Sequence, residues 1–155
     1  MFKLDSEKTL LSAFRPKDRK VVELTKEVRL PLVVPHYLAW AHPAGGKIFL
    51  VFAVPGGVPT GIAFNTNGDG HAVPHMCDWC RSSGTGADVS MLTTYANSRR
   101  VIGVQVCSDL SCGRKLEDEA DRSGVSVLPA MEQLVERMGR FANRGLGIDL
   151  TAAGR

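Results

Sequence analysis

Four cysteines constrain this chain more than any other feature. They form two pairs, Cys77-Asp78-Trp79-Cys80 and Cys107-Ser108-Asp109-Leu110-Ser111-Cys112, a C-x2-C and a C-x4-C separated by 26 residues, and no other cysteine is present. A structural zinc ion takes four ligands in a tetrahedron with sulfur at ~2.3 Å, and a short loop is a compact way to aim two sulfurs at one point. The first pair follows Pro74 and suits a zinc knuckle. The second begins where a β-branched apolar run ends. With Ser108 or Asp109 as N-cap, Cys112 enters the first turn of a helix, whose dipole favours a thiolate. Knuckle, hairpin and helix N-terminus in that order make a treble clef. One structural zinc per chain on Cys77, Cys80, Cys107 and Cys112 is therefore the expectation, with disulfides and free core cysteines as the weaker readings. His71 or His75 could displace one cysteine, but a second-shell or exposed histidine is the better reading. Four sulfurs leave no open position for a catalytic water. His71-Ala72-Val73 also lacks the Glu that a zinc deaminase uses as its acid and base.

The rest of the chain supplies a scaffold for such a site. Lys47-Ile48-Phe49-Leu50-Val51-Phe52-Ala53-Val54 is apolar on both faces and is stopped by Pro55-Gly56-Gly57, which predicts a buried central strand and a turn. Thr60 to Asn65 should pair with it as a hairpin. Val89 to Thr94 and Val101 to Val106 read as two further strands around a loop at Asn97 to Arg100. A helix is expected from Asp109 to about Asp121. Met131, Leu134, Val135, Met138 and Phe141 recur at three and four residues, one apolar helical stripe that Gly145 ends and that should cover the sheet. Upstream, Ser6 is a candidate N-cap for a helix over Glu7 to Phe14, and Pro16 separates it from the charged segment Lys17 to Arg29, read as a second short helical piece with a solvated face. Asn65 to Gly70 fits the first half of a calcium loop, but Met76 stands where a bidentate Glu is needed, so it reads as a polar turn. Gly84-Thr85-Gly86 lacks the third glycine of a dinucleotide fingerprint and reads as a loop.

The expected fold class is α+β: a small antiparallel sheet with a treble-clef zinc finger, short N-terminal helices and a C-terminal covering helix. The expected organisation is an N-terminal helical segment at 1–33, the zinc domain with its helix at 34–145 and a tail at 146–155. A chain of 155 residues that is 44% apolar can bury a substantial core. Its 19 Lys and Arg exceed 16 Asp and Glu by too little to mark a nucleic-acid binder by charge alone. No apolar run approaches a membrane span or a signal peptide, which leads to the expectation of a cytoplasmic protein with reduced cysteines and no membrane partner.

Met76-Cys77-x-x-Cys80, Asp88-Val89-Ser90-Met91 and Val106-Cys107-x-Asp109-x-x-Cys112 resemble the treble-clef zinc-finger domain of the elongation-factor-G-binding proteins, the family that includes fusidic-acid-resistance proteins. Leu38-Ala39-Trp40-Ala41-His42-Pro43, followed by the strand from Ile48, resembles the upstream part of actinobacterial members. The resemblance runs from about Val34 to Phe141. It implies a non-enzymatic monomer that binds elongation factor G and modulates its release from the ribosome. The resistance members carry their contact surface on an aromatic in the knuckle, on basic or aromatic residues before the second cysteine pair, and on the helix after it. The positions matching in kind are Trp79, then Arg99 and Arg100, then Arg114 and Lys115.

Read from the residues alone, Trp79 is either an exposed partner anchor or a lid on the domain's own loop. Arg81, Arg99 and Arg100 either shield the negative charge of a zinc tetrathiolate or are solvated loop residues. No grouped serine, histidine and carboxylate suggest a catalytic triad. The alternative to elongation factor G is a zinc module that binds ribosomal RNA or another translation or transcription component.

Overall fold

A computed structural model describes residues 1–66, 74–84 and 88–151 of the chain. Its centre is a five-stranded antiparallel sheet in the order β3-β4-β5-β8-β9, built from β3 (Tyr37–Ala41), β4 (Lys47–Phe52), β5 (Thr60–Thr66), β8 (Val89–Asn97) and β9 (Arg100–Cys107). β4 pairs with β3 on one side (Trp40↔Phe49) and with β5 on the other (Leu50↔Ile62), which makes it the buried interior strand that its apolar run predicts. The expected hairpins β4–β5 and β8–β9 both form.

Because successive side chains alternate across a strand, β4 feeds two separate cores. Ile48, Leu50 and Phe52 join Ile62 and Phe64 on one face, where helix α3 (Leu128–Arg140) lays Met131, Leu134, Val135 and Met138 against them. This is the covering helix expected from the stripe. The stripe then passes into a π-helical turn, Phe141–Gly145, whose Ala142 is also buried. Phe49 and Val51 point the other way and meet Trp40, Ala63, Leu10, Ala13 and Phe14.

That second face is where the N-terminal residues differ from expectation. The first helix forms at α1 (Glu7–Ser12), and the Ser6 side chain accepts from Thr9 N as its cap. The segment from Lys17 to Arg29 is a series of turns and bends, not a helix. Val22, Leu24 and Val28 all reach the core, but a two-residue step from Val22 to Leu24 cannot share one helix face. The carbonyl of Glu23 accepts from Trp40 Nε1 at 2.9 Å, which replaces the bond a helix would give it. Three further strands carry no such sequence signal. β1 (Phe2–Leu4) pairs antiparallel with β2 (Leu32–Val34), and β3 pairs with Ile48 to Phe52 of β4. Residues 1–34 thus contribute to the main sheet's second core.

Phe14 sits edge-on to both Trp40 and Phe49, with ring centroids 6.2 Å away in each case. It packs directly over β5, where a Cβ at Gly61 would fall 2.7 Å from its ring. A side chain at position 61 therefore excludes Phe14 from this site. The tail is partly built in: Leu146 and Ile148 are buried, and the Leu150 carbonyl accepts from Val58 N at 2.9 Å. Among the described residues no helix is long and apolar enough to cross a membrane. Part of the polar turn from Asn65 to Gly70 and part of the loop at Gly84 to Gly86 lie outside the described residues; Asn65 and Thr66 end β5.

Two outcomes test this architecture. Deleting everything from Leu128 onward uncovers Ile48, Leu50, Phe52, Ile62 and Phe64, so the shortened protein should aggregate; a soluble, cooperatively folding product would place the helix elsewhere. Phe14→Ala should lower unfolding free energy by roughly 3–5 kcal/mol in urea titrations, with one transition for the whole chain.

Candidate metal centre

The four cysteines come from three places that share little backbone pairing. Cys77 and Cys80 occupy the turn between β6 (His75–Met76) and β7 (Ser83–Gly84), two-residue strands paired only to each other. Cys107 is the last residue of β9. Cys112 opens α2 (Cys112–Ser123), with Ser111 in the cap position. Asp109 Oδ1 accepts from Ser111 N at 3.1 Å, so Asp109 shapes the loop into the helix while the cap position falls at Ser111, beyond both expected caps, Ser108 and Asp109.

The four sulfurs lie within 4.8 Å of one another. Cys77 and Cys112 approach to 3.7 Å, and Cys80 and Cys107 to 3.5 Å. A tetrahedron with metal–sulfur bonds of ~2.3 Å has edges of about 3.8 Å, so this set fits one zinc ion. Three sulfurs are buried and Cys80 is half-buried. Such crowding means the thiols share their protons. Hydrogen bonding to Cys107 foremost holds Cys80 below the ordinary thiol value and Cys77 and Cys112 above it. Hydrogen bonding from Cys112 foremost draws Cys107 down to about 6. Zinc would supply the positive charge that lets all four be thiolates together. His75 is not in the cluster, and His71 lies outside the described residues.

Polar groups brace the sulfurs. Trp79 N and Cys80 N donate to Cys77 Sγ at 3.4 and 3.3 Å, fixing the knuckle. The Ser82 hydroxyl lies 3.1 Å from Cys80 Sγ and 3.7 Å from Cys107 Sγ. Lys115 Nζ donates to Cys107 Sγ at 3.2 Å. Burial draws this ammonium's pKa down, but the bond to Cys107 and the charge of the sulfur cluster outweigh it and raise the pKa above its ordinary value. Lys115 is therefore a counter-charge to the tetrathiolate and not the free partner contact expected from the sequence. The Asp109 carboxyl is pushed up by partial burial, but hydrogen bonds from the Ser111 side chain and backbone prevail and hold it below its ordinary range.

Two residues outside the sequence reading lock this site to the sheet. Tyr37 in β3 donates its hydroxyl to Leu110 O at 2.6 Å and accepts from Gly113 N at 2.7 Å, bridging the loop between the second pair of cysteines and the start of α2. Burial raises the Tyr37 pKa far above the ordinary phenol value, so the bridge keeps its proton. Position 113 has to be glycine, because a Cβ there would meet the Tyr37 ring at 2.9 Å. Arg137 in α3 donates to the Trp79 carbonyl at 2.6 Å and ties the covering helix to the knuckle. A tyrosine 70 residues upstream of the loop and an arginine 58 downstream of Trp79 leave no local pattern to find them by.

Trp79 corrects the expectation of an exposed anchor. It is 2% exposed, with its ring against Phe64 and Phe141 at centroid distances of 6.2 and 6.1 Å. The second C-x-x-C side chain turns inward because α3 and the π-turn bring an aromatic cluster to meet it, so the indole is a lid packed on the domain's own core. Arg99 and Arg100 are also displaced from the expected place. They occupy the far tip of the β8–β9 hairpin, seven residues from Cys107 along β9, or roughly 23 Å at strand rise. They do not shield the sulfurs. Arg81 and Arg114 are exposed near the zinc end.

A knuckle, a hairpin and a helix N-terminus converging on four sulfurs define a treble-clef zinc protein. The model of the FBP C-terminal treble-clef zinc-finger matches residues 8–145, and the chain belongs to that family. No individual curated protein matches it significantly.

Protein purified under reducing conditions should carry one zinc per chain by elemental analysis, and a strong chelator should lower its melting temperature, since structural zinc contributes about 10–16 kcal/mol in small fingers. Trp79→Ala should cost roughly 3–5 kcal/mol of stability in the zinc-loaded protein. An unchanged unfolding curve would contradict the burial of the indole.

Proposed function

We propose that this protein is a non-enzymatic, zinc-stabilised binding module that takes elongation factor G as its partner and modulates that factor's release from the ribosome. The observation that carries this reading is the closed metal site. Four sulfur ligands saturate zinc and leave no position for water or substrate, so the metal's work is to hold surfaces in place. The resemblance to elongation-factor-G-binding proteins supplies the partner.

With Trp79 in the core and Lys115 turned to Cys107, the surface left for recognition is basic and split between two ends of the hairpin. At the tip, Arg99 and Arg100 precede Val101, which is 52% exposed. At the zinc end stand Arg81 and Arg114. An interface of ordinary size covers ~800 Å² per partner, about 28 Å across, which spans the distance between them. Arginine is enriched among the residues that dominate binding energy. A second reading, ribosomal RNA, draws on the same exposed arginines, but among the described residues no cluster of stacking aromatics stands beside them.

Calorimetry with purified elongation factor G should show a saturable one-to-one complex. Arg99→Ala/Arg100→Ala should weaken it about tenfold, chiefly through a slower, more salt-sensitive association. No detectable heat at tens of micromolar would dismiss this partner, and steep salt dependence of ribosome association without the factor would favour RNA.

A further inference from the structure

β5 and β8 are neighbours over only two register pairs, Asn65↔Thr93 and Thr66↔Leu92. Continued in register, Tyr95 would face Ala63 and Asn97 would face Gly61. That place beside β5 is taken by the chain after α1: Gly61 N donates to Ala13 O at 2.9 Å, and Phe14 forms a parallel bridge with Gly61. β8 is therefore forced away from β5 beyond Thr93. The Thr94 hydroxyl closes the fork, donating to Ala63 O at 2.9 Å and accepting from Arg15 at 3.3 Å. Past this point a groove of about 880 Å³ opens between β8 and the turns at residues 15–21.

We propose that this groove binds an extended acidic peptide segment of a partner protein, laid along the freed edge of β8. The proposal goes beyond the elongation factor G reading and does not depend on it. Its first support is the edge itself. Alternate residues of an antiparallel strand turn their N–H and C=O to opposite sides. From Tyr95 to Asn97, β8 pairs with β9 on one side through Tyr95↔Val101 and Asn97↔Arg100, with a register shift at Ala96, and has no register partner in β5 on the other. An open edge is a template for another strand.

The second support is charge. Arg15, Lys17 and Lys47 line the groove, and among its described lining residues the one carboxylate is Asp18, already held by Arg15 Nε at 3.0 Å. The Lys47 ammonium donates to the Asn65 amide oxygen at 2.5 Å, a neutral partner, and among the described residues no carboxylate pairs with it. Side chains of an added strand alternate between faces, so acidic groups on one face would meet these cations. Tyr95, 58% exposed, offers an apolar wall to residues on the strand. Single-stranded RNA would satisfy the cations too, but it has no amides to pair with the β8 edge, and one aromatic makes a poor stacking platform.

The test is fluorescence anisotropy on the full zinc-loaded chain, using a labelled eight-residue peptide of alternating Glu and Val. Four labelled controls accompany it: the Lys-for-Glu version, two versions with every second backbone amide N-methylated in opposite frames, and an eight-nucleotide uridine RNA. Saturable binding of the acidic peptide is expected, weakened about tenfold or more by N-methylation in one frame and by Lys17→Glu. Lys17 is exposed, so its replacement should leave melting unchanged, and Tyr95→Ala serves as a second, uncharged variant with the same direction of effect. No acidic-peptide binding at millimolar concentration overturns the proposal. So does equal affinity of both N-methylated frames with the parent, or tighter binding of the RNA. Binding untouched by both Lys17→Glu and Tyr95→Ala would remove the groove as the site.

Discussion

The zinc end of this molecule is organised around four sulfurs. The knuckle has two-residue strands paired only to each other, β9 ends at Cys107, and α2 begins at Cys112. No long backbone ladder joins these pieces. Their geometry becomes definite when one ion with a tetrahedral preference claims a ligand pair from the knuckle and one ligand from each of the other two. The supporting polar contacts follow from that choice. Lys115 answers the negative charge of the cluster, Tyr37 ties the second loop to the sheet, and Arg137 ties the knuckle to α3. The metal site and the covering helix are thus in direct contact, through Arg137 on the Trp79 carbonyl and Phe141 against the indole.

The burial of Trp79 changes what the zinc is for. An indole facing solvent would make the knuckle a binding tip; an indole against Phe64 and Phe141 makes it a wall of the core. The surface left for recognition is then assembled from elements the ion aligns at a distance, above all the β8–β9 hairpin, whose zinc-proximal end pairs Val89 with Cys107 and whose tip carries Arg99 and Arg100.

How much could be read from the chain depends on whether the signal was local. The cysteine spacing encodes ligand geometry directly. The two-faced apolar run at Ile48 to Phe52 encodes burial on both sides, and the three-and-four spacing from Met131 encodes a covering helix. Each has a period or a spacing that a single segment carries. Charges at helical intervals from Lys17 to Arg29 are compatible with a helix, but the segment's structure is set by a distant donor and by packing: Trp40 Nε1 on the Glu23 carbonyl, and Val28 in the second core. The sequence leaves the direction of Trp79 open between anchor and lid and carries no sign of the tyrosine bridge to Gly113, since each depends on a residue 58 or more positions away. Lys115 alone had a readable cue, a cation placed one turn after a thiolate at the start of a helix.

β4 belongs to both cores, with Ile48, Leu50 and Phe52 in one and Phe49 and Val51 in the other. Its backbone amides sit between two strands and under two covers, so neither release of the zinc knuckle nor detachment of the N-terminal segment alone brings water to them. In hydrogen exchange they should form the slowest class, opening only when the whole chain unfolds, whereas amides in the two-residue strands of the knuckle should exchange through small local openings at far lower free energy. The protein thus combines a rigid spine with a metal end that can loosen and close again without the spine dissolving.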